Sequence, residues 1–336
     1  MKKTIGIATV MLVSALPALA QVEAGKLARE TAKEYREWAR YPESSKVIRK
    51  GEADPIQEKR VPTRQTRRGP DAAEPALSVW ASKVSFEKGQ AVDLFATLEE
   101  RGKAVTSPAD LTGEIVDVSG AILAEVSYRD DGQAPDRRAG DGVYSARLEP
   151  SALAYFPTAS YMVRVQGRLQ NGDLRSAAGG FLYSDPAARL TGRYRDSLRE
   201  GNLVIAAEIE VAETGRFHLA GTIYSPSGEP VGVAQAAANL EPGRHWIELS
   251  YYGLMFHERK VAGPYRLGTL ALSTTHRMPN ALNDIVENVH VTRAYRLSQM
   301  RSEAFERPQL IESAKRLEIE AERAEREARE RTPQQQ

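Results

Sequence analysis

Between about residue 76 and residue 295 the sequence alternates apolar and polar residues with a period of two. Val92, Leu94, Ala96 and Leu98 interleave with Asp93, Phe95, Thr97 and Glu99, and Tyr161, Val163 and Val165 interleave with Met162, Arg164 and Gln166. Successive side chains of a strand point to opposite faces, so this pattern fits a sheet with one face buried and one wet. The alternation resumes in Leu203, Ile205, Ala207, Ile209 and Val211, in Phe217, Leu219, Gly221 and Ile223, and in Ile247, Leu249 and Tyr251. Ser119-Gly120, between residues 113–118 and 122–128, marks a hairpin, because glycine tolerates positive φ. Short strands separated by polar turns predict two consecutive antiparallel β-sandwiches, residues 76–185 and 186–300.

The flanking segments follow other rules. Lys2 and Lys3, an apolar run over residues 5–16, and Pro17-Ala18-Leu19-Ala20 have the three-part plan of a secretory signal, with cleavage expected after Ala20. The run is too short to span a bilayer, so no membrane span is expected in the mature chain, which is placed in the periplasm or outside the cell. Residues 21–75 are read as a helical segment and a basic linker. Val22, Leu27, Ala28, Ala32, Tyr35, Trp38 and Ala39 recur at helical spacing, Tyr41-Pro42 ends the helix, and Lys59, Arg60, Arg64, Arg67 and Arg68 follow. Residues 301–336 read as a charged C-terminal helix and tail. There Leu310, Ala314, Leu317, Ala321, Ala324 and Ala328 form a weak heptad stripe, and so little apolar surface favours a solvated single helix over a coiled coil.

The formal net charge of +1 argues against capture of nucleic acid by bulk charge. With no cysteine, disulfide and thiol chemistry are excluded. No Gly-x-Ser-x-Gly elbow, phosphate loop or dinucleotide fingerprint occurs.

Residues 128–145 are the segment richest in candidate chemistry. Asp130, Asp131, Asp136 and Asp141 are interspersed with Gly132, Gly140 and Gly142, which supply sharp turns that let carboxylates converge. Calcium takes about six to eight oxygen ligands in a flexible shell, and such a loop offers them, giving a structural Ca2+ site at these four aspartates. Ordinary Asp-Gly turn chemistry, with Arg129, Arg137 and Arg138 neutralising the acids, is the alternative reading.

The run Asp-Asp-Gly, Asp136, then Ala-Gly-Asp-Gly-Val-Tyr-Ser, together with the later Gly263-Pro264-Tyr265, resembles the acidic loop and turn of bacterial immunoglobulin-like domains in exported proteins. With the Tyr41-Pro42 segment and Asp54-Pro55, the order of elements is similar to a family of exported Gram-negative bacterial proteins with tandem immunoglobulin-like domains, a domain of unknown function. The resemblance covers most of residues 35–300. It implies immunoglobulin-like sandwiches and export and carries no activity; by analogy it puts Asp130, Asp136 and Asp141 first as metal ligands.

Elsewhere, Trp246 and Tyr252 share the parity of one strand face and are candidates for stacking on a sugar or a protein partner. Asn280, Asn283, Asp284, Glu287 and Asn288 form a second oxygen-rich stretch, read as turn and cap chemistry. The histidines, His218, His245, His257, His276 and His290, have no metal-ligand spacing. The expected function is that of an exported, non-enzymatic binding or structural protein of the bacterial envelope, its partner an unidentified protein or glycan. A secreted hydrolase or carbohydrate-binding accessory module using Trp246 and Tyr252 is the alternative.

Overall fold

A computed structural model of the chain describes residues 8–60, 64–67, 76–107, 110–274 and 282–331. The protein is mainly β. In chain order the elements are α1 (Ala8–Ala39), β1 (Ser45–Val47), α2 (Pro55–Arg60), β2 (Gln65–Arg67), β3 (Ala76–Ala81), β4 (Ser85–Glu87), β5 (Val92–Glu100), β6 (Lys103–Ala104), β7 (Asp110–Val116), β8 (Ile122–Ser127) and β9 (Val143–Leu148). They continue with β10 (Ala159–Arg168), β11 (Leu174–Ser184), β12 (Ala188–Arg199), β13 (Asn202–Val211), β14 (Gly215–Tyr224), β15 (Pro230–Leu240), β16 (Gly243–Tyr251), α3 (Leu254–Arg259), β17 (Arg266–Thr274), β18 (Leu282–Val291) and α4 (Pro308–Arg331). Of the leader expected at residues 1–20, residues 1–7 lie outside the described residues and 8–20 form the start of α1, and no described helix is long and apolar enough to cross a membrane.

A first two-layer unit stacks the sheet β4-β11-β10-β7-β8 on a second sheet in which β5 pairs with β3, β6 and β9. The inward residues are those the alternation marks: Val92, Leu94, Ala96 and Leu98 face Tyr161, Val163 and Val165 across one core. The β7–β8 hairpin forms as expected, with the Asp117 carboxylate accepting the N–H groups of Ser119 and Ala121 and Gly120 at φ +88°. One pairing departs from the antiparallel expectation, since β4 runs parallel to β11.

The second unit stacks β12-β13-β16 on β1-β15-β14-β17-β18. Its core takes Leu203, Ile205, Leu219, Leu249, Leu267 and Leu270, all fully buried, and also Tyr41 from before the first unit. Residues 21–75 are therefore not simply a helix and a linker. Ser45–Val47 pairs with β15, and Asp54 lies inside the second unit at 4% exposure. The Asp54 carboxylate accepts the Thr222 hydroxyl at 2.7 Å, the Tyr224 hydroxyl at 2.7 Å and the Ile56 N–H at 2.8 Å. That last bond starts α2, with Asp54 as cap and Pro55 at the first helical position, where its missing N–H is not needed. The two units are thus not strictly consecutive: the first is inserted between the opening segment of the second and its remaining strands.

The C-terminal helix is not a solvated single helix either. Gly25, Ala32 and Ala39 of α1 and Ala314, Ala321 and Ala328 of α4 are all buried, each set repeating every seven residues. Arg36 pairs with Glu318 through two bonds and Arg29 with Glu325 at 2.7 Å, so the helices run antiparallel. Side chains this small stabilise by letting the backbones approach: a Cβ on Gly25 would lie 3.2 Å from the Ala321 carbonyl oxygen. The chain then returns to satisfy the end of α1, as Phe305 and Arg307 donate their N–H groups to the carbonyls of Arg40 and Ala39.

Burial pushes the Asp54 carboxyl up, but the hydroxyls of Thr269, Tyr224 and Thr222 and the Ile56 N–H outweigh it and hold it below its ordinary 3.8, although Thr269 makes no hydrogen bond of good geometry. A carboxyl lowered in the folded state stabilises the fold above its unfolded value and loses that contribution as pH falls through the folded value. Asp54→Asn should therefore lower stability at pH 7 by about 2–3 kcal/mol, the scale of charged hydrogen bonds lost. It should also flatten the loss of melting temperature below about pH 4; an unchanged acid limb in thermal scans would refute this role. In a second test, residues 64–185 are replaced by a flexible linker of about ten residues, reaching roughly 17 Å. The remainder should melt cooperatively with a β-type far-ultraviolet spectrum, and an unfolded product would contradict the insertion.

Candidate functional site

The acidic loop begins and ends in the core. Tyr128 and Tyr144 are buried, the Tyr144 hydroxyl donates to the Val105 carbonyl at 2.9 Å, and Arg129 and Ser145 exchange backbone bonds of 2.9 and 2.8 Å that close the base. Above that base the aspartates organise the backbone. Asp130 accepts the N–H groups of Gly140 at 2.6 Å, Asp141 at 3.3 Å and Gly142 at 2.8 Å, tying one end of the loop to the other. Asp136 accepts those of Gly132 at 2.6 Å and Arg138 at 3.0 Å. Gly132, Gly140 and Gly142 all have positive φ, and a Cβ on Gly142 would also collide with Ala104.

These bonds bring Asp130, Asp136 and Asp141 together, with one oxygen of each within 4.8 Å of the others. Asp131 is the exception among the four expected ligands: its carboxylate turns to the Gln133 N–H at 2.9 Å and does not join them. Burial alone would raise the Asp136 carboxyl, but the N–H groups of Arg138, Gly132, Arg137 and Asp131 outweigh it and hold it below the ordinary carboxylate value. Among the described residues no ion pair joins Arg129, Arg137 or Arg138 to the three converging carboxylates. The donor set is all oxygen, which suits a hard cation such as Ca2+ and not zinc or copper.

Beside the loop lies a cleft of about 760 Å³. Trp80, Phe95, Asp136, Arg137 and Asp141 are among the residues that line it, the two rings stacked on each other and Arg64 lying 4.6 Å over Trp80. Trp80 and Phe95 carry no motif in the sequence; the only signal is two aromatic residues on polar-face positions of adjacent strands.

The other candidates separate. Trp246 lies on the outer face of β16 under the Arg195 guanidinium, 4.0 Å from the ring centroid. Tyr252 is buried at 4% exposure, edge-on to Tyr41 and Phe305, with its hydroxyl donating to the Glu303 carbonyl. Strand parity holds only to Tyr251, after which the chain turns into α3, so the two aromatics do not share a surface. Of the oxygen-rich stretch, Asn280 and the side chains of Asn283 and Asp284 lie outside the described residues; Glu287 and Asn288 belong to β18, with Asn288 at φ +53° beside a register shift. His245 and His257 bond to backbone carbonyls, His290 bonds to Asp196 at 2.8 Å, His218 lies partly buried on β14, and His276 lies outside the described residues.

Residues 187–300 match the family model described as the domain of unknown function (DUF4785) C-terminal domain. No curated protein matches the chain. Among solved structures, a DUF4785 family protein from Legionella pneumophila is 18% identical with a TM-score of 0.46, over 67% of this chain and 57% of that one. The match thus spans little more than half the length of the Legionella protein. CopC from Methylosinus trichosporium OB3b is 18% identical with a TM-score of 0.20, over 30% of this chain and 82% of that one. A DUF4426 family protein from Pseudomonas aeruginosa PAO1 is 13% identical with a TM-score of 0.25, over 35% and 94%.

Because the Asp130 side chain accepts three N–H groups from the far end of the loop, Asp130→Ala should destabilise the first unit by about 2–4 kcal/mol, the scale of several charged bonds lost. Amide exchange read by mass spectrometry should rise in residues 128–145 and not in α4; equal protection in both proteins would exclude that role.

Proposed function

We propose that the protein is an exported, non-enzymatic binding or structural protein of the bacterial envelope, built on two immunoglobulin-like sandwiches, whose first unit is stabilised by Ca2+. The observation that carries the calcium reading is the convergence of Asp130, Asp136 and Asp141 without an arginine counterion. In that reading the three carboxylates hold the ion, and the ion supplies only charge balance and order: the loop joins β8 to β9, and fixing it fixes both strands. The immunoglobulin-like reading is supported by the two-sheet stacking of each unit and by β4, which leaves the sheet of β3 to pair in parallel with β11. Export is supported by the signal-like pattern of residues 1–20. A binding role is favoured over hydrolysis at Trp246 and Tyr252 because the latter ring is enclosed by Tyr41 and Phe305.

Calorimetric titration of chelator-treated protein with CaCl2 should give a saturable heat. An ion held by the native state alone raises unfolding free energy by about 2.7 kcal/mol at a hundredfold excess over Kd. Asp141→Ala, which loses only the local bond to the Val143 N–H, should fold and lose most of that increment. No heat and no change in melting on adding calcium would reject the site.

A further inference from the structure

In an antiparallel ladder, residues alternate between bonding the neighbour on one side and turning their backbone groups to the other. The Tyr128 N–H bonds the Leu111 carbonyl of β7 at 3.0 Å, so Glu125, Ser127 and Arg129 turn their N–H and C=O groups away from β7. In β9, Ser145 exchanges both backbone bonds with Arg129. Asp93 of β5, opposite Arg147, gives its carbonyl to the Ser82 N–H, so Arg147 likewise faces away from β5.

Arg129 and Ser145 thus begin an antiparallel ladder whose next pair would be Ser127 and Arg147. The strands part there instead, around a gap of about 510 Å³ that the buried Val126, Ala146 and Leu148 also line. Among the described residues, no hydrogen bond reaches the backbone groups of Glu125, Ser127 or Arg147. Strand edges are usually blunted by proline, lysine or a covering segment. Residues 124–129 contain no proline or lysine, and Glu125 and Ser127 are exposed. A shift in the β7–β8 register confines the regular edge to this stretch of roughly 20 Å.

A row of free N–H and C=O groups along a strand is matched by another extended backbone. The charge around the gap says what that backbone should carry. Glu125, Asp131 and Glu149 line it with Arg129 and Arg147, and Arg147 is already held by Asp93 through bonds of 2.6 and 3.1 Å. None of the three acids forms an ion pair among the described residues, which leaves negative charge in excess. A second copy adding its own β8 would set Glu125 beside Glu125, and like charges facing each other across strands are destabilising. We propose that the β8 edge binds an extended segment of another protein in which basic residues alternate with aliphatic ones. The segment adds as a further strand, its aliphatic side chains over the gap and its basic ones next to Glu125 and Glu149. This surface uses none of Asp130, Asp136 and Asp141 and does not rest on the calcium reading.

The test is titration of the full chain with a labelled eight-residue peptide alternating lysine and valine, read by fluorescence anisotropy and by amide exchange. Two comparison peptides accompany it: one alternates glutamate and valine, and one is the lysine peptide with methylated backbone nitrogens, which keeps the charge and removes the N–H groups. The lysine peptide should bind and slow exchange in residues 122–129, and both comparisons should bind at least tenfold more weakly. Ser127→Pro removes an N–H that the fold does not use, as proline may on an edge strand, and should weaken binding about tenfold. Glu125→Lys should weaken it about fivefold or more, whereas Glu320→Lys on α4 should leave it unchanged. If Ser127→Pro fails to fold, Glu125→Lys and Glu149→Lys decide the matter. No binding, equal binding of the methylated peptide, binding without protection of residues 122–129, or indifference to these variants would overturn the proposal. Sedimentation showing a dimer that Ser127→Pro abolishes would also overturn it, assigning the edge to a second copy. Repeating the titration in calcium and in chelator separates the readings: peptide binding without calcium heat removes the ion alone, and calcium heat without peptide binding removes the edge alone.

Discussion

A carboxylate taken out of water is tolerated only where donors replace the hydration it loses, and Asp54 meets that condition on strands that follow it only after the whole first unit. Its partners Thr222 and Tyr224 lie on β14, and its neighbour Ile56 lies in the first turn of α2. Removing the carboxylate would strand those hydroxyls in the interior, so the opening segment and the second unit depend on each other. Everything between them, the whole of the first unit, is held as a loop closed at its base by this contact and by the pairing of β1 with β15. Closing a long loop costs only slightly more than closing a short one, because the entropy grows with the logarithm of its length. An inserted unit that folds on its own core adds less still.

The same logic extends to the far end of the chain. Tyr41 and Tyr252 pack edge to face, and Tyr252 packs in turn against Phe305. Arg40 pairs with Glu258, which also accepts the Tyr41 hydroxyl at 2.6 Å. Aromatic rings supply area here, while the carbonyls at the end of α1 are satisfied by returning backbone. The heptad alanines of α1 and α4 add a close-packed seam. Three separated segments thus meet at Tyr41, Tyr252 and Phe305, and the charged tail packs on α1 next to that junction.

Legibility in the sequence followed the size of the local signal. Val92 to Leu98 declared a half-buried strand because one face is core and the other is not. Ser45–Val47 has no period to read, since three residues pair only as β15 directs them. β12 was equally silent: Arg193, Arg195 and Arg199 leave few apolar positions, and its partner β13 is buried on both faces through Val204, Ala206 and Glu208. Ala314, Ala321 and Ala328 looked too small to pack, and their role emerges only beside Gly25, Ala32 and Ala39 at the same spacing. In the acidic loop the glycines and aspartates marked the place, but the divergence of Asp131 is set by a local bond that composition does not encode. Trp80 and Phe95 sat in plain view on polar-face positions, lacking any reason in the sequence to be adjacent.

That adjacency gives the first unit a division of labour. Asp136 and Asp141 stand on the loop and on the cleft wall at once, so whatever orders residues 128–145 also sets the positions of the acceptors that face Trp80 and Phe95. A wall built on a loop would ordinarily be imprecise, because loops open with little free energy. Here the bonds donated to Asp130 by the N–H groups of Gly140, Asp141 and Gly142 cross-link the loop internally, and the backbone bridge between Arg129 and Ser145 joins it to the sheet that carries Trp80 and Phe95. Residues 128–145 and the strands that carry Trp80 and Phe95 are thus one hydrogen-bonded unit, whereas the buried Asp54 is bonded to β14 of the other.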